Sequence, residues 1–219
     1  MPAMPLADLA YQDIRQKLLN GEYLPGDLLS ESELAAGLGM SRTPIRDAIM
    51  QLEKEGFVQT LFKRGILVKQ IEIHEIYDIL DLLNVLYFHA LDCMEEYQYE
   101  LDLKAMKTYL DQIFEASERR KYREYYESGL MFMRCLLVAI ENRCMLETFN
   151  RYKDKLLFFV VAHRATKGSN RPYTGKQLYS EIYLQLTDGK LREAKEALLE
   201  SKRRTKEELV RGGFVPNNR

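Results

Sequence analysis

The chain has 219 residues, of which 46% are hydrophobic and 30% are charged, and its formal net charge is -1 at pH 7. These values are ordinary for a soluble globular protein. They exclude a polycation, so any nucleic-acid site has to be a local patch of positive side chains.

The sequence predicts a reduced, cytoplasmic environment. Cys93, Cys135 and Cys144 are odd in number and widely spaced, and the chain has neither a C-x-x-C pair nor a signal peptide. The longest apolar runs, such as Leu156–Ala162, are far shorter than the ~20 residues that a membrane span needs. We therefore expect a soluble intracellular protein without a membrane partner.

The pattern of the chain changes near residue 72. Glycine and proline recur before this point, whereas long helical periods with few breaks follow it. We therefore predict two domains, at 1–72 and 73–219.

The first domain begins with two predicted helices. Apolar residues spaced at helical intervals from Leu6 to Leu18 predict a first helix that ends at Asn20-Gly21. The segment YLPGDLLS predicts a turn. The segment SESELAAGLG predicts a short second helix that opens with a reciprocal capping box between Ser30 and Glu33.

A third helix and two strands complete the domain. The segment MSRTPIRDAIMQLEKEG predicts a helix with Ser41 as its cap and Pro44 in its first turn. The segments FVQTL and GILVKQ alternate like strands and are joined by FKRG. This order of elements is that of a winged helix-turn-helix.

The third helix separates an apolar face from a polar face. Ile45, Ala48, Ile49 and Leu52 recur at helical spacing and are expected to pack inward. The exposed side then carries arginine near the helix start, where a recognition helix reads the major groove. Arginine can bind guanine or phosphate, and Ser and Thr can bind phosphate. The candidate DNA contacts are Ser41, Arg42, Thr43 and Arg46 on the helix, with Lys63, Arg64 and Gly65 at the hairpin.

A different use of the same surface stays open. The first 70 residues carry about as many acidic as basic side chains, so the domain is not basic overall. A winged helix can also serve protein contacts only, and the chain would then be a helical binding or scaffold protein.

These motifs resemble those of the GntR family of bacterial transcription regulators over about residues 8–70. The resemblance implies operator contacts by Ser41, Arg42, Thr43, Arg46 and Gly65. It rests on Leu24-Pro25-Gly26, Glu33-Leu34-Ala35, Ser41-Arg42-Thr43-Pro44-Ile45-Arg46, Leu52, Glu55-Gly56 and Arg64-Gly65. Ser32 stands where many relatives have an arginine, so one phosphate contact of the family is expected to be weaker.

The second domain is predicted to be an all-helical bundle. Apolar residues between Ile76 and Ala90 form one stripe, and further helices are predicted at about 102–120, 122–141, 144–165, 174–188 and 190–210. Helices with one apolar face each have to bury them together. A winged helix followed by such a bundle resembles the FadR-like subgroup, whose bundle is called the FCD domain. That resemblance implies a homodimer on a near-palindromic double-stranded operator and a small-molecule effector in the bundle.

Many FCD domains hold a metal with one aspartate and three histidines, and this sequence departs from that pattern. Aligned on Asn142 and on Asp188-Gly189, the ligand positions fall on Gly129, Met133, Tyr179 and Ser201. A common arginine of the first bundle helix falls on Leu80, and its acidic companion falls on Asn84. We therefore expect an effector pocket formed by these six residues that binds a neutral or apolar ligand without a metal. The alternative is a remnant pocket that binds no ligand.

No catalytic constellation is evident. The chain lacks H-E-x-x-H, G-x-S-x-G and a phosphate-cradling glycine loop. The histidines are His74, His89 and His163, and we interpret His89 as a core residue beside the apolar stripe. The sequence thus predicts an effector-responsive, DNA-binding transcription regulator that is not an enzyme and has no cofactor.

Overall fold

The computed structural model describes residues 4–167, 173 and 175–211. The chain forms two compact units. The first contains the chain up to Ile71 together with residues 158–167, and the second contains Glu72–Leu157 and the described residues from 173 onward.

The first unit is a winged helix-turn-helix. In chain order its elements are α1 (Leu6–Asn20), β1 (Leu28–Leu29), α2 (Glu31–Leu38), α3 (Arg42–Glu55), β2 (Val58–Leu61) and β3 (Gly65–Val68). The three strands form an antiparallel sheet in the order β1-β3-β2. The sequence missed β1, because its two leucines lie inside a segment of turn residues.

The apolar stripe of α3 forms the centre of this unit. Ile45 and Leu52 have no exposed surface, and Ala48 and Ile49 are at most 3% exposed. They share a core with fully buried residues of α1, such as Ile14 and Leu18. The predicted inward face of α3 is therefore buried, and its other face is left to solvent.

The predicted capping box is absent. Ser30 occupies the N-cap position of α2 with an extended backbone, but its side chain makes no capping hydrogen bond. Ser41 is likewise at the N-cap of α3 without a side-chain capping bond. The pattern therefore predicted the start of each helix correctly and the hydrogen bonds of the Ser30 cap wrongly.

The helix α7 (Arg143–Lys167) contributes its last turns to the first unit. Phe158 is 1% exposed, and its ring meets that of Phe57 edge-on with 5.7 Å between centroids. Val161 packs closely against Gly21, because a methyl group on Gly21 would lie 2.9 Å from the Cγ1 atom of Val161. Residues 158–167 thus complete the core of the winged helix, whereas the sequence placed them in the second domain.

The second unit is a helical bundle. It contains α4 (Ile73–Tyr97), α5 (Leu103–Glu118), α6 (Tyr122–Ala139), the first part of α7, α8 (Gly175–Thr187) and α9 (Leu191–Arg211). Its core includes Leu83, Met106, Ile113, Phe132 and Phe149, each at most 2% exposed. The predicted helices agree with these bounds to within a few residues.

Ion pairs join α4 to α9 along one side of the bundle. Their partners are Asp81 with Lys202, Asp92 with Lys195, and Glu95 with Arg192. Each pair is substantially exposed, so it contributes little stability and mainly fixes which faces of the two helices meet.

His89 is not a core residue, contrary to the prediction. It is exposed on α4, and its Nε2 lies 3.3 Å from the Sγ of Cys93, one turn along the helix. The apolar stripe passes beside His89 at Leu86 and Ala90, and the sequence could not define the edge of that stripe to one residue. Within the described residues, no helix is both long and apolar enough to cross a membrane.

Candidate functional site

Each unit carries one candidate site. In the first unit, the exposed start of α3 presents Ser41, Arg42, Thr43 and Arg46 to solvent. Pro44 and Ile45 between them are buried and anchor this first turn to the core. We call these four exposed residues the α3 surface.

Arg46 is held by a neighbouring carboxylate. Its Nε donates to Oε2 of Glu31, in the first turn of α2, over 2.8 Å. The side chain of Arg46 is still 61% exposed, so its remaining donors are accessible. Among the described residues, Arg42 has no comparable ion-pair partner. The α3 surface therefore offers one free guanidinium and one oriented guanidinium.

The hairpin of β2 and β3 is fixed to α3 by Glu53. This carboxylate accepts hydrogen bonds from the backbone N–H of Thr60 over 2.8 Å and from its hydroxyl over 3.1 Å. The tilt of the hairpin relative to the recognition helix is therefore set by a side chain of that helix.

The end of this hairpin is a three-residue loop of Phe62, Lys63 and Arg64, which we call the wing tip. Leu61 and Gly65 are partners across the ladder on either side of it, and the N–H of Arg64 donates to the carbonyl of Leu61. All three side chains of the wing tip are exposed. The loop thus adds two cations to those of the α3 surface.

The backbone conformation at position 65 requires a glycine, independently of any contact with DNA. Its φ of +104° lies in the region that side chains disfavour, and a Cβ there would come 2.7 Å from the carbonyl oxygen of Leu29 in β1. The sequence named this glycine only as a candidate DNA contact. The structure shows a close approach by the protein's own backbone.

In the second unit, one cavity of about 170 Å³ is lined by all six residues of the expected effector pocket. They come from four different helices. Leu80 and Asn84 lie on α4, Gly129 and Met133 on α6, Tyr179 on α8, and Ser201 on α9. The six residues predicted from the alignment to FCD domains thus line one cavity, although they are up to 121 positions apart in the sequence.

Gly129 and Tyr179 are complementary in volume. A methyl group on Gly129 would lie 2.8 Å from Cζ of Tyr179, so the phenol end of the tyrosine occupies the space beside the glycine. The Tyr179 ring also packs edge-on against the buried Phe132, with 5.3 Å between centroids. A larger residue at 129 and tyrosine at 179 exclude each other unless the ring moves.

The polar groups of the cavity are mostly neutral. Burial raises the pKa of Tyr179 and of Tyr87 well above the usual value, so both hydroxyls stay protonated at physiological pH. Asn84 donates one amide hydrogen to the carbonyl of Leu80 over 2.8 Å. Ser201 adds a third hydroxyl. These groups can therefore offer hydrogen bonds without a fixed charge of their own.

Charged residues lie at the edge of this cavity, which the sequence did not indicate. Lys202 is paired with Asp81, and Lys206 is exposed with its ammonium 6.0 Å from the ring centroid of Tyr77. The pair is internally neutral and the second lysine remains hydrated, so neither replaces a buried cation.

The residues that the resemblance to FCD domains aligns with metal ligands do not fit a metal. Gly129 has no side chain, Met133 offers a thioether, and the Tyr179 ring occupies the space between the helices. Zinc and its neighbours prefer imidazole, thiolate and carboxylate ligands. Across the described residues, no three His, Cys, Asp or Glu side chains are grouped to hold a metal.

The first unit has the fold and the exposed basic surface of a winged-helix DNA-binding domain. Residues 6–68 match the model of bacterial regulatory proteins of the GntR family. The chain is therefore similar to this family over the span of its winged helix, which is 63 of its 219 residues.

Two sequence relatives illustrate the extent of the match. An uncharacterized HTH-type transcriptional regulator in an unstable DNA locus of Streptomyces ambofaciens is 38% identical over 84 residues, which cover 38% of this chain and 36% of the relative. The gluconate operon transcriptional repressor of Bacillus licheniformis is 25% identical over 152 residues, covering 68% and 61%. The chain thus matches little more than a third of the Streptomyces relative. Both relatives are named as transcription regulators and not as enzymes.

Solved structures share the fold of both units. A Rhodococcus sp. RHA1 protein described as a GntR transcriptional regulator has a TM-score of 0.81 at 18% identity, covering 95% of this chain and 99% of that one. Escherichia coli McbR/YncC has a TM-score of 0.74 at 16% identity, covering 97% and 100%. A winged helix followed by a helical bundle is therefore the fold of this chain.

Gly65→Ala should destabilise the first unit, because it places a side chain at positive φ against the Leu29 carbonyl. We expect a loss of about 1–3 kcal/mol in the free energy of unfolding, measured by urea denaturation. Gly37→Ala is the matched control, since Gly37 is helical and a methyl group there meets nothing within 4 Å. That variant should be unchanged or up to about 1 kcal/mol more stable. Equal stability of both variants would contradict the structural role of Gly65.

Proposed function

We propose that the chain is a sequence-specific, DNA-binding transcription regulator whose DNA affinity is modulated by a small molecule bound in the bundle. The observation that carries the DNA-binding half is the α3 surface, where Arg42 and Arg46 are exposed directly beside the buried Pro44 and Ile45. The buried residues thus hold two guanidinium groups near the start of α3. Winged-helix proteins use the start of the corresponding helix for base contacts.

The proposed contacts divide into two kinds. Arg42 and Arg46 are placed to read bases or hold phosphates near the start of α3, and Ser41 and Thr43 to bind phosphate beside the positive end of the helix dipole. Lys63, Arg64 and the backbone of Gly65 are proposed to contact the duplex from the hairpin. The names of the relatives support this assignment, since they include an HTH-type transcriptional regulator and an operon transcriptional repressor.

Arg42→Ala and Arg46→Ala should each abolish most sequence-specific binding while the fold is retained. A lost bidentate contact to a base should weaken binding by about 1–3 kcal/mol. The measurement is a gel shift or anisotropy titration with the DNA upstream of the protein's own gene. Lys54→Ala is the control, because Lys54 is exposed at the other end of α3 and its loss changes the charge equally.

Arg46→Ala also leaves Glu31 without its partner, which places an unpaired carboxylate near the DNA. The double variant Glu31→Gln/Arg46→Ala separates this repulsion from the lost contact. Unchanged operator affinity in both single arginine variants would refute α3 as the reading helix. It would favour the alternative of a helical scaffold whose winged helix contacts protein.

We further propose that the chain acts as a homodimer of the FadR-like kind on a near-palindromic site. One small winged helix contacts few base pairs, and two-fold protein symmetry maps onto two half-sites. Light scattering should therefore give twice the chain mass of 25.7 kDa, alone and on a two-half-site duplex. A mass of one chain at every concentration, with and without DNA, would contradict the dimer.

The proposed effector is small, neutral and largely apolar. An apolar protein cavity of roughly 150 Å³ can hold benzene, so about 170 Å³ suits a ligand of about that size. The hydroxyls of Tyr179 and Ser201 and the amide of Asn84 would orient one polar group of it. No buried cation is present in the lining to hold a carboxylate strongly.

Protein purified without chelator should contain no stoichiometric zinc, nickel or manganese by elemental analysis, and native mass spectrometry should detect a small organic ligand. Tyr179→Phe removes one hydroxyl and keeps the ring, so it should weaken this ligand about two- to tenfold. Tyr109→Phe, outside the cavity, should bind as the wild type does. A stoichiometric transition metal that is lost in the Tyr179→Phe variant would overturn the metal-free pocket.

A further inference from the structure

Phe62 at the wing tip is 85% exposed, more than any other large apolar side chain of the described residues. The ladder partners Leu61 and Gly65 close the strands before it, so the ring lies beyond the sheet and cannot reach the core. Phe62 therefore buries little apolar surface against the described residues of the first unit.

The surroundings of the ring are positive. Lys63 follows it with a φ of +57°, and its ammonium lies 5.2 Å from the centroid of the Phe62 ring. Arg64 is next and also exposed. An apolar ring followed by two cations matches a groove of DNA, which has sugar walls and phosphates along its rims.

We propose that Phe62 enters the minor groove beside the half-site that α3 reads, with its ring against the sugars while Lys63 and Arg64 hold the flanking phosphates. This inference rests on the proposed DNA-binding function. The minor groove is about 6 Å wide and is the groove into which proteins insert apolar side chains. Glu53 binds Thr60 and so holds the hairpin, with Phe62 at its tip, in a fixed position relative to the α3 surface.

The salt dependence of DNA binding distinguishes the uncharged Phe62 from the charged Lys63 beside it. Loss of an uncharged ring should lower affinity without changing the number of counterions released, so the slope of log K against log salt should stay the same. Loss of the Lys63 ammonium should lower that slope by about one. These two signatures differ even when the two variants lose equal affinity at one salt concentration.

The test uses the full chain and a DNA duplex that the wild-type protein has selected from a random library. Phe62→Ala should bind about tenfold more weakly, which is about 1.4 kcal/mol, at an unchanged salt slope. Lys63→Ala should show the reduced slope. Leu28→Ala is the matched control, because Leu28 is an exposed apolar residue of the same sheet, paired with Leu67 away from the wing tip; it should bind like the wild type.

The groove is tested with base analogues. Replacing flanking A·T pairs by G·C adds an amino group to the minor groove and should weaken the wild type, and inosine·cytosine pairs, which lack that group, should restore binding. Phe62→Ala should not respond to these changes. Equal affinity of Phe62→Ala and the wild type, or an equal loss in Leu28→Ala, overturns the inference alone. A wild-type chain that selects no sequence overturns the proposed function and the inference with it.

Discussion

The burial of one helix face sets the chemistry of the first unit. Four apolar residues of α3 at helical spacing are locked against α1, so the side chains between them have to face solvent. Arg42 and Arg46 are among these, and neither can turn inward without breaking the core. Burial of the apolar face of α3 therefore forces these two arginines to be exposed. The sheet, the hairpin and the last turns of α7 all complete the core around this helix.

A second packing constraint governs the bundle. Gly129 leaves a gap on α6 that the phenol of Tyr179 fills from α8. The resemblance to FCD domains aligns these two positions with metal ligands, and here a glycine and a tyrosine that fills the space beside it stand there instead. The hydroxyl that remains is neutral because burial raises its pKa. A site built this way can discriminate by shape and hydrogen bonds, and only weakly by charge.

The sequence predicted most of the helices because long amphipathic periods and glycine stops are local signals. It also predicted which residues meet in the cavity, because alignment to a family carries long-range information that periodicity lacks. It missed what depends on tertiary contact: the Glu31–Arg46 ion pair between two helices, the assignment of Phe158 to the first unit, and the charged edge formed by Lys202 and Lys206. At Ser30 the sequence predicted the helix start correctly, but the predicted side-chain capping hydrogen bond does not form.

The near-neutral first unit bears on specificity. Binding to any DNA grows with the number of phosphates neutralised, and it rises regardless of sequence. A domain with few cations gains little from this general attraction, so discrimination has to come from well-placed contacts. Glu31 strengthens that effect. DNA that gives Arg46 a base edge or phosphate in the right place compensates for the carboxylate beside it, whereas poorly fitting DNA meets an arginine already satisfied by Glu31 and a negative charge next to it. If α3 reads DNA as proposed, this intramolecular ion pair should lower affinity for wrong sequences more than for right ones, although Glu31 itself contacts no base.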